Sequence, residues 1–565
     1  MQSYSLTIDK FLDHAAKWSG TREIVTAQAG ERPSRIGYAA LRTRANRLSG
    51  ALAALGLRTG DRIGTLAWNT QRHLELYYAA MGAGMVCHTL NPRLTPEHLS
   101  VMINEAEDRV LAVAASLAPL FEAIAPLCPG LEHVIWMDGA EPESAVGTGA
   151  RIWGYEALLE GHGAETHWGQ FPEEAPAGLC YTSGTTGQPK GVVYTHRSNY
   201  LHTLRALQAN AFALTGRDVV LMAVPMFHAN GWGLPFSAPA VGAKLVLPGR
   251  EASGAALAAL MRNEGVTLAV GVQTVWLGVA AHLEATGEAL PDLKRVTVGG
   301  SHCPDALIRR LEKLLGAHVQ TSWGMTELSP LGVTALPGAT ALGKGAGHPV
   351  MGIDLKLTDA DGVALEEQRG NVGHLKARGA SVLGRYFKAD ADALDAEGYF
   401  DTGDLASIDE DGNLSIRGRS KDLIKSGGEW INPAEMEVIV GRDLAVSQVA
   451  VIARDDPKWG ERPVLIVEPR QGCTIDPSAL IAALRGKVAD WWLPDQIVEV
   501  AAMPLAATGK IDKVRLRADY ARSQAGADQA GGHGAYESMI HDLREAEIER
   551  SPGPEKHLRC RSAGD

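Results

Sequence analysis

The sequence has no cysteine pairs, no long apolar run and no surplus of basic residues. Each absence argues against a class of function. The six cysteines, Cys87, Cys128, Cys180, Cys303, Cys473 and Cys560, are scattered, with neither a CxxC pair nor metal-ligand spacing. That usage speaks against a disulfide framework and for a reducing compartment. No stretch approaches the roughly 20 apolar residues that a membrane span requires. The first residues carry an early acid at Asp9 and lack the apolar core of a secretory signal, so the expected location is the cytoplasm. A formal net charge of −12 argues against broad nucleic-acid binding, which needs a basic face. It leaves room for an anionic ligand in a locally basic pocket. No internal repeat is found.

What is present is a long globular chain. Its 565 residues correspond to roughly three or four domain-sized units. Helical and strand patterns alternate. Residues 36–55 set Leu41, Ala45, Leu48, Leu52 and Leu55 at helical spacing, and 62–68 then reads as a strand. The run 219–224 is continuously apolar, as in a strand covered on both faces, and 295–300 repeats it. Pro304 is expected at the first position of a helix with Leu307, Leu311, Leu314 and Leu315 on one side. The pattern predicts an α/β fold with mixed or parallel sheets. After about residue 405 it changes: a turn at 409–414, a helix at 433–440, strands at 448–453 and 463–468, a helix at 477–489 and a strand at 496–500. This predicts a small α+β unit. From 521 the apolar pattern thins, so 521–565 reads as a largely disordered tail, apart from one solvated helix at most.

The segment 181–191, YTSGTTGQPKG, packs the hydroxyls of Thr182, Ser183, Thr185 and Thr186, the glycines Gly184 and Gly187, and Lys190 into one turn. Glycine lets backbone N–H groups approach a phosphate, and hydroxyls and an ammonium add donors. It is not a Walker A loop, in which Lys directly follows the second Gly. By composition alone it is equally a polar surface turn.

That segment resembles the signature loop of the adenylate-forming enzymes: acyl-CoA synthetases, luciferases and peptide-synthetase adenylation domains. Five further stretches follow in that family's order over about residues 5–520: 225–233 (PMFHANGWG), 299–304 with 323–327 (GGSHCP, WGMTE), 399–404 (YFDTGD), 417–430 (RGRSKDLIKSGGEW) and 504–513 (PLAATGKIDK). The resemblance implies a large N-terminal domain over 1–417, a mobile lid over 418–520, and ATP between them. It implies that Thr182, Ser183, Gly184, Thr185, Thr186, Gly187 and Lys190 hold phosphate, and that Gly300 and Ser301 wall the adenine. Ser322, Trp323, Gly324, Met325 and Thr326 follow on the nucleotide, with Trp323 where most relatives have Tyr. Thr326 touches phosphate, Glu327 with Thr185 binds Mg²⁺, and Asp404 with Arg419 takes the ribose. Lys510 offsets the repulsion between a carboxylate and the α-phosphate. The hinge position, commonly Asp or Lys, is Gly418. Lys425, Ser426, Gly427, Gly428, Glu429 and Trp430 line the path of coenzyme A.

The implied activity is ATP-dependent acyl-CoA ligation through an acyl-adenylate. His228 stands where amino-acid-activating relatives carry Asp, which speaks against a peptide-synthetase module; it is expected to orient the carboxylate or the thiol. The nearest resemblance is to bacterial medium- and long-chain fatty acyl-CoA synthetases and methylthiopropionate-CoA ligases. Trp232 is either a gate to an acyl tunnel, as in the fatty-acid enzymes, or a core aromatic. Val272, Gln273, Trp276, Val298 and Gly299 are expected at the acyl site. An arylalkanoate ligase and a non-catalytic adenylate-binding protein are the competing readings, and a homodimer is the oligomer that the resemblance favours.

Overall fold

The strand Val219–Met222 shows why its run is apolar throughout: Leu221 packs into one core and Val220 and Met222 into another, on opposite faces. The protein is described by a computed structural model covering residues 2, 4–28, 30–141, 149–182, 189–301, 303–426, 429–506 and 510–530, without the side chains of 429, 430 and 525–530. In a nine-stranded sheet, Glu23–Thr26, Lys244–Leu247, Val219–Met222, Leu268–Val272, Arg295–Gly299 and His318–Gly324 run parallel in that spatial order. Antiparallel strands close both edges. A seven-stranded sheet sets Arg151–Gly154, His133–Trp136, Val110–Val113, Arg62–Leu66, Val86–Thr89 and Pro176–Thr182 parallel, with Lys190–Thr195 antiparallel at its edge.

In the larger sheet the order reverses at Val219–Met222. The next strand in sequence lies on one side and the three after it lie on the other. In open α/β sheets the crevice beyond the carboxyl ends of strands at such a switch is where ligands bind. The segments 225–233, 272–273, 299–301 and 323–327 all lie at those ends. The phosphate-loop segment likewise follows the carboxyl end of Pro176–Thr182.

A four-stranded antiparallel sheet, Ile353–Thr358, Val372–Gly379, Phe400–Ile408 and Leu414–Arg419, follows. The C-terminal unit has its own sheet, built on the hairpin Val446–Asp456 with Gly460–Pro469, and its own core around Ile424, Met436, Val451 and Leu465. The architecture is therefore an α/β N-terminal part with mixed and parallel sheets plus a smaller α+β C-terminal part.

Three local expectations are corrected. Pro304 caps the helix Asp305–Leu315 from outside, with extended backbone (ψ 146°), instead of opening it. The helix expected over 477–489 stops at Leu484, because Gly486 takes a left-handed φ of 69°. The helix Lys513–Ala530 runs ten residues into the expected tail; residues 531–565 lie outside the described set. Helical spacing at Leu516 and Tyr520, both buried against the C-terminal sheet, anchors its first turns.

Among the described residues of the N-terminal part, His73, His196 and His202 are buried without an acidic partner, whereas the buried His88 pairs with Asp108 at 2.7 Å. Loss of water pulls His73 to about 4, His196 to about 3 and His202 well below the ordinary imidazole range. They are neutral in the fold. As pH falls below the unfolded value of 6.5, the unfolded chain binds protons that the folded core refuses, and folding free energy drops. Each histidine contributes about 1.4 kcal/mol per pH unit, so the three contribute about 4 kcal/mol per unit between about pH 6 and about pH 4. Denaturant titrations at pH 7 and pH 5 test this; equal stability at both would refute the neutral assignment.

Candidate active site

The parallel strand His318–Gly324 ends at the switch-point crevice with Trp323. Its indole Nε1 donates to Asp404 Oδ2 at 3.0 Å, and Arg419 Nε pairs with Asp404 Oδ1 at 2.8 Å. The two partners of Asp404 therefore come from 81 residues before it and from the neighbouring strand Leu414–Arg419. Asp404 is only 3% exposed. Burial raises its carboxyl above the ordinary range, opposed by Arg419, the Trp323 N–H and Lys510. Each carboxylate oxygen has two lone pairs, so both can accept a further hydroxyl. One side of the Trp323 ring is backed by Gly332, where a Cβ would come within 2.7 Å of Cζ3.

Beyond Trp323 a short turn, Thr326–Leu328, presents Glu327. Its Oε1 accepts from Tyr386 Oη at 2.9 Å. Burial lifts its carboxyl, and Tyr386, Arg419 and Lys190 oppose the lift. Lys190 Nζ lies 5.0 Å from the centre of the Tyr386 ring. The turn is held from behind: Tyr194 Oη donates to the Thr326 carbonyl at 2.8 Å, and the Leu383 N–H donates to the Glu327 carbonyl at 2.7 Å. Thr182 and Lys190 are cross-strand partners that bracket the phosphate-loop segment. Ser183, Gly184, Thr185, Thr186 and Gly187 lie outside the described residues.

Lys510 comes from the C-terminal unit. Its side chain is open to the cleft, yet protein surrounds it, and the loss of bulk water together with Arg419 pulls its ammonium below the ordinary lysine range while Asp404 opposes. It acts electrostatically on His228 as well. His228 is lowered to about 4 by burial, with Arg93 and Lys510 adding to the shift. A neutral imidazole thus faces two cations, and its Nε2 has no hydrogen-bond partner in the fold. Lys510, Arg419, Asp404, Trp323 and His228 form one constellation across both units.

On the other side of His228 the chain makes an unusual turn. Ala229, Asn230, Gly231, Trp232 and Gly233 have φ of 41°, 54°, 58°, 56° and 76°. Three of these carry side chains, and left-handed backbone costs each about 1–2 kcal/mol. The turn aims Trp232 at the strand end: a Cβ on Gly299 would come within 2.8 Å of its Cη2, and one on Gly300 within 3.8 Å of its Cζ2. Val272 approaches Gly300 from the same side. Ser301 donates to Gln273 Oε1 at 3.0 Å across the mouth. Ser322 Oγ lies beside Gly299, while Gly324 packs on the Pro330 carbonyl, where a Cβ would clash at 2.2 Å. Met325 packs toward Phe400 and Tyr386.

Trp276 and Val298 were expected here and lie elsewhere. Both are fully buried on the opposite face of the sheet, among the helices. The Trp276 N–H is shared between the carbonyls of Gly271 and Thr297, both at 3.2 Å. Alternation along Arg295–Gly299 sends Val298 to that core and Gly299 to the crevice. Lys425 and Ser426 sit on the C-terminal hairpin Ile424–Ser426 with Glu429–Ile431. Gly427 and Gly428, and the side chains of Glu429 and Trp430, lie outside the described residues. Gly418 has φ 155°, and a Cβ there would come within 3.0 Å of Asn432 Oδ1. Sequence reasoning missed Tyr386, Tyr194 and Arg93, whose roles arise from contacts or fields between distant segments and leave no local pattern.

Residues 11–387 match the AMP-binding enzyme family, and residues 435–510 match the AMP-binding enzyme C-terminal domain. The chain is 42% identical to the 3-methylmercaptopropionyl-CoA ligase of Ruegeria lacuscaerulensis, covering 92% of this chain and 98% of that protein. It is 41% identical to the medium-chain-fatty-acid–CoA ligase of Ectopseudomonas oleovorans, covering 92% and 97%. Among solved structures, ATP-bound MatB from Rhodopseudomonas palustris superposes with a TM-score of 0.79 at 25% identity, covering 92% and 99%. An anthranilate CoA ligase in complex with anthranoyl-AMP shares the fold, with a TM-score of 0.83 at 23% identity, covering 93% and 99%. Through both matched regions and these near full-length relatives, the chain belongs to the AMP-binding enzyme family as an ATP-dependent acyl-CoA ligase.

Proposed function

We propose that the acid is a short to medium aliphatic monocarboxylate of the methylthiopropionate kind, and that Lys510 drives its adenylation. The observation that carries the reading is the constellation itself: a lid ammonium within the field of Asp404, Arg419 and His228. In the first step an oxygen of the acid attacks the α-phosphorus of ATP and the bond to pyrophosphate breaks. Both partners are anions, and Lys510 offsets their repulsion as charge moves. Asp404 accepts the ribose hydroxyls and Trp323 lies on the adenine. Thr182 and Lys190, with Ser183, Gly184, Thr185, Thr186 and Gly187, hold the phosphates. In the second step the thiol sulfur attacks the acyl carbon, its proton passes to water, and AMP leaves with the bonding pair. His228, neutral and unpartnered at Nε2, orients the carboxylate.

Glu327 fits Mg²⁺, with Thr185, which lies outside the described residues, as its expected companion. Its carboxylate is a hard donor, and burial alone penalises its charge. Among the described residues no group of three or more His, Cys, Asp or Glu could hold a metal alone. Bound at Glu327, Mg²⁺ supplies charge neutralisation for the phosphates. The proposed lid begins at the hinge Gly418 and ends near 520. Lys425, Ser426, Glu429 and Trp430, with Gly427 and Gly428 outside the described residues, are the expected lining of the coenzyme A path. Buried thiols at Cys87, Cys128, Cys180 and Cys303 suit a cytoplasmic location.

The preference for a smaller acid rests on Trp232, whose ring lies over the Gly299 strand end, and on the two ligases named above. An arylalkanoate is the second reading, favoured by 30% identity to the indoleacetate–CoA ligase of Aromatoleum aromaticum over 86% of this chain. Acyl-CoA formation across methylthiopropionate, straight-chain and arylalkanoic acids decides between them. The expected optimum is a small aliphatic acid, with each unfavourable methylene costing about 1–3 kcal/mol. An indoleacetate optimum favours the second reading. No turnover on any acid, with nucleotide still bound, would leave a non-catalytic adenylate-binding protein.

Lys510→Ala is expected to slow adenylation about a hundredfold to a thousandfold, while thioester formation from supplied acyl-adenylate changes by less than about threefold. Pyrophosphate release and single-turnover thioester assays separate the two; equal losses would contradict the assignment. Gly418→Pro demands φ near about −65°, against the 155° found with Lys510 at the site. Adenylation should therefore suffer more than thioester formation, and two unimpaired half-reactions would show that rotation occurs elsewhere.

A further inference from the structure

Two buried side chains meet the left-handed turn: the Cys180 sulfur at the backbone of Ala229 and Asn230, and Asn199 at the Asn230 side chain. Asn230 is 1% exposed, and its Nδ2 donates at 3.0 Å to Oδ1 of Asn199, also 1% exposed, 31 residues earlier on the helix His196–Ala206. Gly178 makes room for this amide: a Cβ there would lie 3.0 Å from Asn230 Oδ1. Gly233, at the end of the turn, abuts the His202 ring, which is fixed in turn by the Leu331 N–H at 3.2 Å. A run of positive φ through alanine, asparagine and tryptophan persists only where the surroundings over-determine it. Asn230 suits the position twice, since asparagine tolerates left-handed backbone and brings an amide that can be held. Two residues later the same turn delivers Trp232 to Gly299.

We propose that Asn199 is a positioning residue for acid selection: by holding the Asn230 amide it fixes the left-handed turn and so sets where the Trp232 ring lies over the Gly299 strand end. Asn199 acts through Asn230 and Trp232. The inference rests on the reading that Trp232 borders the acyl site. It predicts that a residue behind the turn governs which acid is used while leaving nucleotide binding alone.

The test uses the full-length enzyme, with steady-state acyl-CoA formation on straight-chain acids from propanoate to decanoate and KM for ATP measured alongside. Asn199→Ala should change the ratio of kcat/KM between butanoate and decanoate by at least about tenfold, with KM for ATP within about twofold. Asn230→Gly should shift the ratio in the same direction. Glycine adopts the same backbone without strain, so this variant carries the test should Asn199→Ala not fold. On a Trp232→Ala background, Asn199→Ala should have no further effect on the ratio, as expected for residues acting through one group. Parallel changes in KM for acid and ATP, or a shift that survives removal of the ring, would overturn the proposal. An unchanged acid profile in Trp232→Ala alone would instead sink the acyl-site reading, and this proposal with it.

Discussion

A single desolvated carboxylate ties the molecule together. Asp404 is held on one oxygen by the Trp323 indole and on the other by the Arg419 guanidinium, and Lys510 acts on it from the C-terminal unit. These groups arrive from the large parallel sheet, from the antiparallel sheet that shares a core with it, and from the C-terminal unit, which has its own core. An isolated buried carboxylate would be costly and would take up a proton; surrounded by cations and an N–H it keeps a place in the fold only while those partners remain. The geometry of the crevice and the relation of the C-terminal unit to the rest of the chain are therefore expressions of one electrostatic balance.

The same balance sets the character of the cleft. Two cations, Arg93 and Lys510, act on a histidine that burial keeps neutral. Lysine and arginine charges are ordinarily well hydrated, and here the surrounding protein lowers the ammonium of Lys510 and the guanidinium of Arg93. Such a region is poised for anions, because an incoming carboxylate or phosphate restores what the lost water no longer supplies. Glu327 is the counterpart: a buried acid whose charge calls for a cation.

Much of this was legible in the sequence and some was not, for physical reasons. Apolar runs located the parallel strands, and ordered motifs located the crevice at their ends. Alternation within a strand decides which side of the sheet a residue serves: Val298 and Gly299 were both expected at the acyl site, although adjacent residues point to opposite faces. Trp276 was misjudged because an aromatic near a pocket looks like a wall, while its N–H satisfies two carbonyls in the core. The helix after 513 was under-read because its outer surface is polar and only Leu516 and Tyr520 reveal packing. Tyr386 meets Glu327 across 59 residues, and Asn199 meets Asn230 across 31; pairs of that kind leave no periodic signal.

The side of the crevice that we propose for the acid is made of strand termini and the turns that leave them: Trp232, Val272, Gln273, Gly299 and Ser301. The residues that hold the sheet together, such as Val298, Val270 and Trp276, lie below or behind. A substitution at a terminus can reshape the crevice without disturbing the layers beneath, whereas Trp323, Asp404 and Arg419 are bound into one another and tolerate little. Evolution of such a chain is thus modular at the level of single residues. New acids can be acquired by small steps at the rim while the activating chemistry stays fixed, and gene duplication would be expected to yield paralogues that differ in acid long before they differ in fold.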